Sequence, residues 1–292
     1  MSQATTTGAA GTTTTGRVRR SRAGATGTAR SQSDRPLRLL ATELLAGIGP
    51  LLVLMLLWQV VYLTLPENQF LRGPLEAVEF AVSGENVGEL AAALLSTFTM
   101  LLAGYLIAVL VALTLASVVT ASAAMARAIM PLAVVLGVVP VIVITPVVIM
   151  LVGRGPATSI TVCVMITFFS CFISIVSGMR SAARGIDDLA AVLGGSGWRR
   201  LVSVRLPSSV PGLISASKLA LPASLSGVIL TEYIATGEGI GTFINLARAN
   251  YRYVDMWGGI FVVVLLSVLA YSLLGFLEVW LGDRYVVRRS SR

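Results

Sequence analysis

The chain has 292 residues, is 55% hydrophobic and only 12% charged, carries a formal net charge of +8 and has a mean hydropathy of +0.85. So little charge at this length excludes a water-soluble globular domain and places the chain in a bilayer. The absence of histidine excludes Ser-His nucleophiles, His-ligated haem or zinc, and His proton relays.

Residues 1–43 are mostly Ser, Thr, Gly, Ala and Arg, with too little apolar side chain to bury a core, so they are expected to form a disordered cytoplasmic tail. The tail's arginines suit membrane topology and anionic headgroups better than nucleic acid. No secretory signal is expected, because the first apolar run starts too late and is too long. Hydrocarbon about 30 Å thick takes roughly 20 apolar residues per helix. Six runs meet that length, and their expected limits are Leu44–Leu65, Leu90–Val119, Ile129–Val152, Ala157–Met179, Leu213–Ile234 and Met256–Leu281. A basic tail, 286–292, follows the 44–285 membrane body.

Arginine marks the cytoplasmic ends of such spans. Seven arginines precede the first span, and Arg284, Arg288, Arg289 and Arg292 follow the sixth. The connection after the first span is acidic (Glu67, Glu76, Glu79, Glu85, Glu89), whereas that after the fourth is basic (Arg180, Arg184, Arg199, Arg200, Arg205). Both termini and the fourth connection are therefore expected inside.

Within the spans, Pro131, Pro140 and Pro146 remove backbone donors from the third, which should kink. Kinked helices suit a path, so Pro140 and Pro146 are candidate path residues. Cys163 and Cys171 on the fourth lie eight apart, about 12 Å along a helix, too far for a disulfide and too few for a metal cage. In the fifth, Ala216, Ala220, Ser224 and Gly227 recur every three or four residues as a ridge that admits another helix closely, from a second subunit or from the same chain. Glu232 ends that span, and Gly237, Gly239 and Gly241 after it suit a re-entrant turn. An acid at membrane depth is a candidate for gate or path. The sole lysine, Lys218, follows Ser217, so no Walker A phosphate loop exists and the chain cannot hydrolyse ATP by itself. No cofactor or metal site is evident.

The fourth connection carries the most specific signal. From Asp188 to Pro207 it reads DLAAVLGGSGWRRLVSVRLP, with Arg180–Leu193 able to extend the fourth span, Gly194, Gly195 and Gly197 able to bend it, and Trp198–Val204 able to start a second short helix that Pro207 ends. A plain hairpin with aspartates capping a helix is the alternative. The segment resembles the cytoplasmic "EAA" loop of ABC importer permeases. Asp188 stands at the acid, Leu189 and Ala190 at the two alanines, Gly194 at the glycine, Val204 at the isoleucine, and Leu206 and Pro207 close the motif. Glu232 with Gly239, Ile240 and Gly241 also resembles permeases of the nitrate, sulfonate and taurine uptake family, and the likeness covers about 70–285. Of that family's outside "WFGxG" turn only Gly153 and Gly155 remain.

The resemblance implies an all-α membrane protein with six transmembrane helices and a cytoplasmic coupling-helix loop between spans four and five. It implies a permease without catalysis of its own. The implied partners are two ATPase subunits, docked through Asp188, Gly194 and Trp198, a second permease subunit, identical or a sister, and an extracytoplasmic substrate-binding protein. Sulfonate, taurine or nitrate is the implied cargo, with a thiamine-precursor-like pyrimidine as the alternative. A secondary transporter should instead show charges in several spans and an internal repeat, and an intramembrane enzyme a nucleophile with its base.

Overall fold

The computed structural model describes residues 35–65, 70–82, 87–181, 189–190 and 192–290, with the side chains of 35–48, Leu136 and 279–290 left aside. Every regular element among them is helical. In chain order these are α1 (Arg35–Thr64), α2 (Pro74–Val82), α3 (Val87–Ala121), α4 (Ala123–Val138), α5 (Val141–Val152), α6 (Pro156–Ser181), α7 (Gly197–Arg200), α8 (Leu206–Thr231), α9 (Gly239–Ala249) and α10 (Tyr253–Ser290). Two π-type turns, Leu201–Arg205 and Glu232–Thr236, flank α8. The boundaries expected at 43 and 286 fall inside α1 and α10.

Among the described residues, four stretches are long and apolar enough to cross a bilayer: Val87–Ala121, Pro156–Ser181, Gly197–Thr236 and Tyr253–Glu278. The third expected span is not one helix. Pro140 has no N–H to donate and drives Val139 into extended backbone (φ −69°, ψ 122°), which ends α4 and starts α5. Each half is shorter than a full crossing, and Pro131 and Pro146 sit within them without breaking either. The fifth expected span, by contrast, runs unbroken through Pro211 and Pro222.

Helix α6 is the centre of the packing, between α3 and α8. Phe168 and Phe172, stacked at 5.3 Å, pack with Cys171, Ile175, Val176 and Met179 against Ala108, Ala112 and Ala116 of α3. Gly104 continues that alanine series, and a Cβ there would come within 2.6 Å of Cys163 Cβ. A small residue every fourth position thus brings two long helices into contact where lipid supplies no hydrophobic drive, only packing. Cys163 and Cys171 are buried and unbridged.

Sidedness is testable with single cysteines at exposed positions, Glu79 of α2 and Leu193 of the loop before α7. With Cys163 and Cys171 replaced by alanine, Glu79→Cys is expected to react with an impermeant maleimide on intact cells and Leu193→Cys only after lysis. The opposite pattern would invert the topology.

Candidate functional site

Asp188 lies outside the described residues. From Leu189 the EAA-like loop is seen turning on two glycines. Leu193 N donates to Leu189 O (3.0 Å) and Gly195 N to Ala190 O (2.8 Å), with Gly194 in the left-handed region at φ +77°. A Cβ on Gly195 would lie 2.6 Å from Ala190 O, so the first glycine supplies the bend and the second the close return. Ser196 then caps α7, its Oγ accepting from Arg199 N (3.3 Å).

The chain does not stop at Pro207. Leu201–Arg205 forms the π turn and α8 follows from Leu206 without a break, so Pro207 lies inside a continuous helix, just after the π turn. Trp198 and Val204 are therefore the front of one long helix that continues to Glu232. Arg205 Nη1 donates to Thr120 O (3.0 Å), joining this front end to the end of α3. A Cβ on Gly178 of α6 would lie 2.7 Å from Ser209 Cα, so the two long helices touch directly beside the loop. Leu206 and Pro207 are half-buried there. Four apolar side chains of the loop remain uncovered: Leu189 is 58% exposed, Val192 84%, Leu193 77% and Trp198 74%.

The ridge on α8 meets α6 of the same chain. Ala216, Ala220, Ser224 and Gly227 are buried. Ser224 Oγ pairs with Thr167 Oγ1 of α6 (2.6 Å), and a Cβ on Gly227 would collide with the Ile166 side chain. Further along the same seam Ser159 pairs with Thr231 (2.6 Å) and Thr236 (3.0 Å).

Glu232 is 1% exposed. Its Oε2 accepts from Gly241 N (2.9 Å), its backbone carbonyl accepts from Thr242 Oγ1 (2.8 Å), and its Oε1 is buried with no hydrogen-bond partner. The turn over it is built from the three glycines. Gly237 (φ +78°) reverses the chain, Gly239 (φ +89°) starts α9, and a Cβ on Gly239 would clash with the Glu232 carboxylate at 2.2 Å. A Cβ on Gly241 would collide with Ile229 O. Thr97 of α3 closes the site by accepting from Ile240 N (2.9 Å). Pro140, just before α5, and Pro146, within it, sit elsewhere, both exposed. Gly153 (φ +90°) and Gly155 (φ +127°), between α5 and α6, both hold conformations that glycine favours.

Two features escape a reading by motif. The Gly104, Ala108, Ala112, Ala116 series is visible in sequence as a four-residue repeat of small side chains. Lys218 Nζ lies 2.9 Å from Glu278 Oε2 on α10, a pair that joins two spans sixty residues apart and that no local pattern links.

The family described as "Binding-protein-dependent transport system inner membrane component" matches residues 104–287. Among curated proteins the chain is similar to the formylaminopyrimidine transport permease protein ThiX of Halalkalibacterium halodurans, 22% identical over 78% of this chain and 90% of that one. It is also similar to the riboflavin transport system permease protein RibX of Chloroflexus aurantiacus, 28% identical over 48% of this chain and about half (52%) of that one. A third relative is the putative aliphatic sulfonates transport permease protein SsuC of Escherichia coli, 28% identical over 47% of this chain and 49% of that one. The fold is shared with a chain of the MetNI methionine ABC transporter in inward facing conformations, with a TM-score of 0.56 and 16% identity over 72% of this chain and 100% of that one. With the match covering most of the helical body, the chain belongs to the binding-protein-dependent transport system inner membrane component family.

Proposed function

We propose that the chain is the membrane permease of an ABC importer, working with a second permease subunit, two ATPase subunits and an extracytoplasmic binding protein, and that 188–207 is the ATPase dock. The observation that carries the docking role is the uncovered Leu189, Val192, Leu193 and Trp198 beside Arg199 and Arg200. An apolar patch ringed by arginines does not suit lipid tails, and a patch of this kind marks a protein contact. Because α7 is continuous with α8, and Arg205 holds the end of α3, movement of the dock is passed to two spans at once. In this reading Glu232 and the glycine turn form the outer gate at the far end of α8.

The cargo we favour is a small organic acid of the sulfonate class, supported by the SsuC relatives; taurine and nitrate rest on the motif resemblance alone. A pyrimidine precursor of thiamine is the second reading, supported by the match to nearly the whole length of ThiX. Removal of the gene should separate them. Loss of growth on alkanesulfonates as sole sulfur source, with thiamine-independent growth intact, is expected; a new requirement for thiamine with normal sulfonate use would favour the pyrimidine.

A further inference from the structure

Lys218 is the only basic residue between Arg205 and Arg248, and it stands in the middle of α8. Its ammonium meets Glu278 Oε2 at 2.9 Å and lies 5.1 Å from the centre of the Tyr271 ring, while Ser215 Oγ donates to the other oxygen of Glu278. Charge at such depth is costly, rare and usually functional.

The pair has a cavity beside it. A cleft of about 420 Å³ between α3, α8, α9 and α10 is walled almost wholly by carbon, with Thr97, Leu101 and Tyr105 on α3, Leu221 and Leu225 on α8, and Leu274 on α10. One end lies at Thr97 and Ile240, beside the Glu232 turn. The ion pair is not part of the wall but lies one helical turn beyond its Leu221 and Leu274 end. Lys218 precedes Leu221 and Pro222 by three and four residues on the wall face of α8, and Glu278 follows Leu274 by four on that of α10. Lys218 sits fourteen residues from Glu232, about 21 Å along the helix. The volume is that of a small-molecule site.

We propose that this cleft is a transit site for an organic anion with an apolar body, and that Lys218 takes the anionic group by exchanging it for Glu278. Carbon walls receive the body. The side chain of Glu278 is twice as exposed as that of Lys218 (36% against 18%), so the carboxylate is the partner able to swing away while the ammonium stays on the Tyr271 face. Electroneutrality is kept throughout, since the substrate's charge replaces the one withdrawn. The inference rests on the permease reading and adds to it a residue that selects charge.

The test uses the full chain purified with its ATPase, in phosphatidylcholine nanodiscs, titrated with hexanesulfonate and with uncharged hexanol. Hexanesulfonate should bind more tightly than hexanol. Lys218→Met should weaken it by about tenfold or more, and Lys218→Arg should retain it. Glu278→Gln should tighten it, because the competing carboxylate is gone. Equal affinity in Lys218→Met overturns the proposal. So does loss of binding in both Lys218→Met and Glu278→Gln with a parallel fall in melting temperature, which would make the pair a structural tie only. A Lys218-dependent phospholipid that hexanesulfonate does not displace, or a cross-link between two copies through Leu273→Cys, would assign the cleft to lipid or to a second subunit and overturn it too. ATPase association in the same variants keeps the outcomes apart: if it persists while charge selection is absent, this inference falls and the permease reading stands.

Discussion

Gly239→Ala is expected to abolish uptake and to lower the amount of folded permease in the membrane. Two costs combine. The residue sits at φ +89°, where a side chain costs about 1 to 2 kcal/mol. The new methyl would also lie only 2.2 Å from Oε1 of Glu232, whose carboxylate is buried, and overpacking of that kind costs roughly 1 to 3 kcal/mol. Moving Glu232 away would strip Gly241 N of its acceptor. Glu232→Gln separates folding from gating, because the amide oxygen still accepts from Gly241 N while the acid is lost. Glu232→Gln is expected to insert and melt like the parent yet to transport poorly at limiting substrate, as read by membrane immunoblot, thermal melting and initial uptake rate. Parental uptake by Glu232→Gln would reduce the acid to a packing role.

Asp188→Lys and Gly194→Trp are expected to leave the permease inserted but to detach it from its ATPase. Asp188 stands at the acid of the motif, and reversing it against a basic partner across a partly dry contact costs roughly 2 to 5 kcal/mol, enough to lower association by more than an order of magnitude. Gly194 acts through backbone as well as surface. At φ +77° an indole there is strained by about 1 to 2 kcal/mol, and its bulk lies in open space beside Leu193, where a docked subunit would have to be. Arg205 and the α6–α8 contact at Gly178 are left untouched by either change, so the bundle should keep its melting temperature.

How far the sequence foretold this arrangement depended on whether the deciding interaction was local. Long apolar runs marked α3, α6, α8 and α10, and spacing alone picked out the loop glycines and the turn over Glu232, since positive φ at Gly194, Gly237 and Gly239 is a property of those residues themselves. Proline acts in opposite ways at two places. Pro140 divides an apolar run long enough for one kinked span, since it forces Val139 into extended backbone, whereas Pro207 ends no helix and lies inside one, just after the π turn. The α8 ridge shows in sequence as a repeat of small residues, but its contact with Ile166 and Thr167 arises only once α6 and α8 are packed. The Lys218–Glu278 pair was out of reach for the same reason, since the two residues become neighbours only once α8 and α10 are packed.

The claim that ties these parts together is that the loop from Asp188 to Pro207 couples the helical bundle to an ATPase. Phosphate release by the complex reconstituted in vesicles, with and without the cognate binding protein, tests it most directly. The parent permease should bring the ATPase with it through purification and show hydrolysis stimulated by the binding protein, while Asp188→Lys and Gly194→Trp should retain neither. Parental association and stimulated hydrolysis in both variants would contradict the account.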